Sequence, residues 1–298
     1  MHVKGSFFTT LSQRMTVVRT EETHCNLCGG ADRDKLDEEL GFGIWQCRDC
    51  GLVYVSPQPC AEELPRFYEE MYPNADEATV AARGFGWVER HIAAIVARRK
   101  PEGGRFLEVG CGYGALLEAL SPQPLELHGL ELSETAAAYA RTRVPTASIE
   151  TGPIEDAAFP PASFDVIALI AVLEHVKDPR AVLERLTALL APGGLLIVQV
   201  PYPHPYIKLK RVFPRLPVSF EAPRHLYGFS PVTLERYFRE AGLTAIRTEV
   251  ARPYSGASRL HAGLIWAVKI PGIVLAKLTT GRWIYPFAAA IVTHGVKK

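Results

Sequence analysis

The segment Phe106-Leu107-Glu108-Val109-Gly110-Cys111-Gly112-Tyr113-Gly114-Ala115-Leu116-Leu117 constrains the fold of this 298-residue chain more than any other. An apolar run breaks into glycines and resumes as a helical pattern, so a buried strand feeds a tight loop that opens a helix. Gly110 and Gly112 lack the Cβ atoms that would keep a ligand away from the backbone. The helix that follows Gly114 offers amide donors and a positive dipole end to a carboxylate. Downstream, Leu127-His128-Gly129-Leu130-Glu131 reads as a second strand ending in an acid 21 residues beyond Gly110. That is the spacing at which a carboxylate reaches the ribose hydroxyls of a nucleotide.

The turn Pro101-Glu102-Gly103-Gly104 opens an alternation of short apolar runs and helical patterns, with strands predicted at Arg105–Val109, Leu125–Glu131, Thr146–Glu150, Phe164–Ile170, Gly194–Val200 and Leu243–Val250. The fold class expected is α/β, a Rossmann-like, doubly wound and mostly parallel sheet, preceded by a small module rich in cysteine. Changes of texture divide the chain into a flexible tail over 1–24, the cysteine module over 25–60 and a helical connection over 61–103. The sheet domain then occupies 104–250, and a basic, apolar zone 251–298.

Four motifs in order identify the family. The run Glu108-x-Gly110-x-Gly112-x-Gly114, then Ser163-Phe164-Asp165-Val166-Ile167, then Val172-Leu173-Glu174-His175-Val176, and finally Leu190-Ala191-Pro192-Gly193-Gly194-Leu195-Leu196-Ile197 resemble the class I S-adenosylmethionine-dependent methyltransferases. The resemblance implies S-adenosylmethionine as cofactor. It places Glu108 near the methionyl amine, Gly110, Cys111, Gly112 and Gly114 in the cofactor loop, and Glu131 on the ribose. Leu132, Pro153, Ile154 and Ile170 are implied around the same cofactor, with the turn Gly152-Pro153-Ile154 beside adenine. The family often has an acid where this chain has Pro153, so backbone and the apolar side chain of Ile154 are expected to recognise the base.

Cys25-Asn26-Leu27-Cys28-Gly29 and Cys47-Arg48-Asp49-Cys50-Gly51 are two C-x-x-C-G knuckles 18 residues apart, within the spacing of four-cysteine zinc sites. Cys25, Cys28, Cys47 and Cys50 would close a tetrahedron with no position left for water, which makes the expected zinc structural. Cys60 is left as an unligated thiol. The N-terminal twenty residues lack the apolar core and cleavage site of a secretory signal, so a reducing cytoplasm is the expected compartment. With the following Gly51-to-Pro59 and Phe67-to-Tyr72 segments, the module resembles the front end of bacterial methyltransferases associated with sugar and polysaccharide modification.

Methyl transfer needs an aligned nucleophile and sometimes a base to unmask it. His175 follows the fourth strand, and His225, in Pro223-Arg224-His225-Leu226-Tyr227-Gly228, follows the fifth; the latter segment resembles the part of sugar C-methyltransferases that carries their histidine base. Each is a candidate base or, alternatively, a side chain that fixes its loop. The Pro201-to-Pro223 loop carries His204, Lys208, Lys210, Arg211 and Arg215, a wall suited to a phosphate or diphosphate. The expected partner is therefore a small-molecule or glycan acceptor such as a sugar, a nucleotide-sugar or a lipid-linked saccharide.

A net charge of +1 and a zinc module poor in Lys and Arg disfavour nucleic acid, leaving an RNA base methyltransferase as the alternative enzyme and an inactive zinc-ribbon adaptor as the alternative without catalysis. Residues 251–298 contain seven Lys or Arg and no Asp or Glu. Such a zone suits either an apolar cover for the sheet or peripheral contact with the inner membrane face.

Overall fold

The computed structural model describes residues 19–64, 86–205, 207, 210, 219–250 and 290–298. Its centre is a seven-stranded sheet built on long apolar runs. In chain order the strands of the sheet domain are β6 (Gly104–Val109), β7 (Leu125–Glu131), β8 (Ser148–Thr151), β9 (Phe164–Ile170) and β10 (Leu190–Pro201), then β12 (Leu243–Val250) and β13 (Ala290–Lys297). Before them come β1 (Thr20–Glu21), β2 (Arg33–Glu39), β3 (Phe42–Cys47), β4 (Val53–Ser56) and β5 (Gln58–Pro59), and β11 (Tyr227–Gly228) lies between β10 and β12. The helices are α1 (Trp87–Arg99), α2 (Ala115–Leu120), α3 (Glu134–Arg143), α4 (Pro179–Leu189) and α5 (Pro231–Glu240).

The large sheet runs β12-β13-β10-β9-β6-β7-β8. All its pairings among β6 to β10 are parallel, and β13 alone runs against its neighbours. Strand order reverses between β6 and β9, which opens the ligand crevice beyond their C-terminal ends. Side-chain alternation assigns the two faces. Leu107, Ile167, Leu169, Leu196 and Val198 pack on one side, Phe106, Val166, Ala168, Leu195 and Ile197 on the other. Helices α4 and α5 cover the first face and α1, α2 and α3 the second. Local chemistry starts three of them: Ser133 accepts from the Ala136 amide at α3, Asp178 from Ala181 at α4, and Ser230 forms a capping box with Thr233 at α5, where Pro231 follows as the first helical residue.

Two features depart from the sequence reading. First, the sheet domain does not end at residue 250. Ala290–Lys297 inserts as β13 between β10 and β12, pairing Val200 with Ile291 on one side and Val250 with Ile291 on the other. Its apolar alternation is short and lacks a turn signal, and only a gap between two strands far upstream gives it a place. The membrane or cover expectation for 251–298 is therefore corrected for 290–297, and its remainder, 251–289, lies outside the described residues, as do most of the 1–24 tail and residues 65–85 of the helical connection. Among the described residues, no helix is long and apolar enough to cross a membrane.

Second, the cysteine module is not a bead in front of the sheet. Its four-stranded sheet runs β11-β4-β3-β2, so Tyr227 and Gly228, more than 160 residues downstream, complete it by pairing with Tyr54 and Val53. Cys25, Leu27, Cys47, Leu52 and Tyr54 share a single buried cluster with Leu226, Phe229 and Tyr237 of the sheet domain. Asn26 donates to Asp178 at 3.0 Å and accepts from the Tyr237 hydroxyl at 2.8 Å, and the Arg180 guanidinium donates to the Leu27 carbonyl at 2.6 Å.

The burial of β13 gives a direct expectation. Ile291→Ala should cost about 2–5 kcal/mol in urea unfolding, because its side chain is enclosed by both neighbouring strands, whereas Val232→Ala on the 70% exposed face of α5 should stay within about 0.5 kcal/mol. Equal midpoints for the two variants would contradict the placement of the C-terminal strand.

Candidate active site

At the end of β6 the chain turns through Gly110, Gly112 and Gly114, all with positive φ. A Cβ at Gly110 would stand 2.4 Å from Val172 Cγ2, so this glycine lets the cofactor loop lie directly against the segment that leaves β9. The amides of Gly110 and Cys111 both donate to the Leu130 carbonyl, which holds the loop to the end of β7. Glu131 then ties the site together. Its Oε2 accepts from the Gly112 amide at 2.8 Å and its Oε1 from the Ser133 amide at 2.9 Å. A carboxylate has about four lone-pair positions, so both oxygens keep capacity for ligand hydroxyls.

The structure gathers the remaining predicted positions around this loop with different roles. Glu108 is buried with Oε2 lacking any hydrogen-bond partner, and burial, with the nearby Glu89 and Glu131 charges, pushes its carboxyl well above the usual range. A cationic ligand group would relieve that cost. Leu132 is 47% exposed, an uncovered apolar side chain beside Glu131 that suits the flat face of a base. Ile154 is buried in the core, and Pro153 and Ile170 are half-buried at the ends of their segments. Cys111 keeps its backbone in the glycine loop, and its thiol turns inward against the β7 backbone, 2.9 Å from where a Cβ on Gly129 would lie.

Beyond the β9 end sit the two histidines, with rings 4.9 Å apart. His175 Nδ1 donates to the Arg224 carbonyl at 2.7 Å and His225 Nδ1 to the Phe220 carbonyl at 2.8 Å. Burial lowers both, His175 to about 4, so both rings are neutral at physiological pH. Two acids that sequence reasoning passed over complete the arrangement. Glu174 is 1% exposed, neither oxygen is hydrogen-bonded among the described residues, and burial raises it to about 8. Its position beside His175 after an apolar strand was the available signal. Glu39, the last residue of β2, accepts from the Ser219 hydroxyl and from the amides of Phe220, Glu221 and Ala222, which fixes the loop whose carbonyl orients His225. No local pattern links residue 39 to residue 220. Lys210, expected in an anion-binding wall, is instead ion-paired with Asp37 and Glu39, and His204 lies 3.2 Å from the Gly228 carbonyl. Lys208, Arg211 and Arg215 lie outside the described residues.

The four cysteines of the module converge, with Sγ atoms 3.4 Å apart for Cys25 and Cys50 and 3.5 Å for Cys28 and Cys47. None is in a disulfide. These separations are close to the edge of roughly 3.8 Å of a tetrahedron with thiolate–zinc bonds of about 2.3 Å, so the donor set fits a closed tetrahedral ion. Gly29 and Gly51, both at positive φ, return their amides to the Cys25 and Cys47 carbonyls and make each knuckle.

Residues 85–248 match the family model described as a methyltransferase domain. That is more than half of the sequence, and the chain belongs to the class I S-adenosylmethionine-dependent methyltransferases. The ubiquinone biosynthesis O-methyltransferase of Xylella fastidiosa is 39% identical over 109 residues, 35% of this chain and 44% of that protein. The dTDP-4-amino-2,3,4,6-tetradeoxy-D-glucose N,N-dimethyltransferase of Saccharopolyspora spinosa is 32% identical over 143 residues, 46% of this chain and 57% of that protein. The chain thus spans about half the length of these curated relatives. Among solved structures, the 1,6-didemethyltoxoflavin N1-methyltransferase of Burkholderia thailandensis superposes with a TM-score of 0.56 at 17% identity, covering 90% of this chain and 100% of that one, a likeness of fold.

The buried, partnerless Glu108 oxygen, the glycine loop and the exposed Leu132 fit S-adenosylmethionine, with Glu131 available to its ribose. Glu131→Ala removes the acceptor for the Gly112 and Ser133 amides together with the carboxylate expected at the ribose. Its affinity for S-adenosylhomocysteine should fall by about 1.5–3 kcal/mol, roughly 10- to 150-fold, in calorimetry. Unchanged affinity in the folded variant would remove Glu131 from the site.

Proposed function

We propose that the protein transfers a methyl group from S-adenosylmethionine to a small-molecule or glycan acceptor, of the class of sugars, nucleotide-sugars or lipid-linked saccharides. The observation that carries this reading is the adjacency of two sites. The cofactor loop meets the β9 exit at Gly110 and Val172, and Glu174 and His175 follow two and three residues further on, where His225 from a distant loop joins them. S-adenosylmethionine supplies an electrophilic methyl group. The chain's own residues align the acceptor, exclude water and take up its proton, with His225 and His175 assisting that deprotonation as neutral imidazoles. Named relatives that methylate a ubiquinone precursor's oxygen and an amino sugar's nitrogen support a small acceptor for this chain as well.

The four-cysteine cluster is proposed to hold zinc in a structural role, closing the module that in turn completes its sheet with Tyr227 and Gly228. Incubating the full chain with S-adenosylmethionine and a panel of nucleotide-sugars, amino sugars and lipid-linked saccharides tests the acceptor class, read by mass spectrometry as one added methylene mass. A folded chain that fails to bind S-adenosylhomocysteine at all would defeat the reading. For the module, Cys47→Ser is expected to lose the ribbon ion in metal analysis and to lower thermal stability, since binding a structural zinc contributes directly to folding. Iron in place of zinc in a freshly reduced sample would refute it.

A further inference from the structure

We propose that Glu174, His175 and His225 form a second metal site, which binds one divalent transition-metal ion, zinc above all, and leaves coordination positions open toward the crevice.

The ligand atoms of the three side chains lie within 4.8 Å of one another, and Glu174 Oε1 is 3.9 Å from His175 Nε2. With bonds of about 2.1 Å, atoms up to roughly 4.2 Å apart can share an ion, so small side-chain rotations bring the three together.

The histidine tautomers are fixed by what surrounds them. A backbone carbonyl can only accept, so Nδ1 of each ring carries the proton it gives to Arg224 or Phe220, and each Nε2 holds a lone pair. Histidines that bind metals are oriented in this way, through the far ring nitrogen on a carbonyl or carboxylate. The Phe220 carbonyl is itself held by the Glu39 carboxylate, which accepts from the Phe220 amide at 2.7 Å and from its neighbours.

The carboxylate supplies the second, independent pointer. A buried carboxyl with neither oxygen hydrogen-bonded is expensive to keep, and no side-chain donor among the described residues meets it. A cation between it and the two Nε2 atoms would neutralise the carboxylate where both rings can ligate. Two imidazoles and one carboxylate suit a borderline cation such as zinc rather than magnesium or calcium. Three protein ligands leave a position open, in contrast to the closed set of four thiols in the ribbon.

The site stands on these residues alone. Its use rests on the methyl transfer proposed above and replaces direct proton uptake by the imidazoles, whose Nε2 lone pairs the ion would occupy: an acceptor oxygen or nitrogen in the open position would be held near the cofactor loop and made easier to deprotonate.

The test uses the full chain, stripped with chelator and reloaded with zinc or cobalt. Wild type should take up two ions per chain, one for each cluster. Glu174→Gln and His225→Gln should each retain one. In the cobalt form the ribbon gives an intense thiolate charge-transfer band in the near ultraviolet, which persists in both variants and reports an intact fold. The ribbon's own strong visible bands also persist, and the wild-type spectrum should exceed that of both variants by the weaker bands of the nitrogen and oxygen site. One ion per chain in saturated wild type, or a wild-type visible spectrum identical to that of both variants, overturns the second site. Calorimetry with S-adenosylhomocysteine on the same samples separates this failure from that of the methyl-transfer reading: intact cofactor binding with a single ion sinks only the second site.

Discussion

The peptide group of Leu226 holds the two halves of this molecule in one geometry. Its amide donates to the Glu174 carbonyl at 2.8 Å and its carbonyl accepts from the Val55 amide at 2.9 Å, so one residue is bonded to the β9 exit on one side and to the ribbon sheet on the other. Tyr227 follows with a second bond to Glu174 and then pairs with Tyr54. These groups are buried, and leaving them unpaired would cost more than any single side-chain contact there gains. The histidine pair therefore occupies a position that neither the sheet nor the ribbon defines without the other.

That arrangement gives the cysteine module a physical role at a distance from its thiols. The end of its strand β2 places Glu39 against the Phe220–Ala222 amides, and its strand β4 receives β11. A closed tetrahedral ion would stiffen the far end of the same small sheet. The module acts as a clamp on the loop that carries His225, and the shared apolar cluster of Leu27, Leu52 and Tyr54 with Phe229 and Tyr237 makes the clamp part of the core.

Two buried acids mark where the fold gives up stability for a site. Glu108 beneath the cofactor loop and Glu174 beside His175 each have an oxygen with no hydrogen-bond partner among the described residues. An interior built for stability alone would carry apolar residues at both positions. Glu108 lies two residues before Gly110 and Glu174 two residues after Val172, so both acids flank the point where the glycine loop meets the β9 exit.

The sequence by itself determined the strand-loop-helix of the cofactor site, the order of six of the seven strands and the two cysteine knuckles, because each rests on short-range rules: glycine at positive φ, apolar runs, an acid at fixed spacing, paired thiols. It also located His175 and His225 but not what they face. Tertiary structure alone decided that Ala290–Lys297 fills the sheet, that Tyr227 and Gly228 belong to the ribbon, that Cys111 points into the core, and that Glu39 orients a loop some 180 residues away. These depend on which backbone groups remain unpaired once the local elements have formed, and on which apolar faces remain uncovered. Neither quantity is written in any window of neighbouring residues.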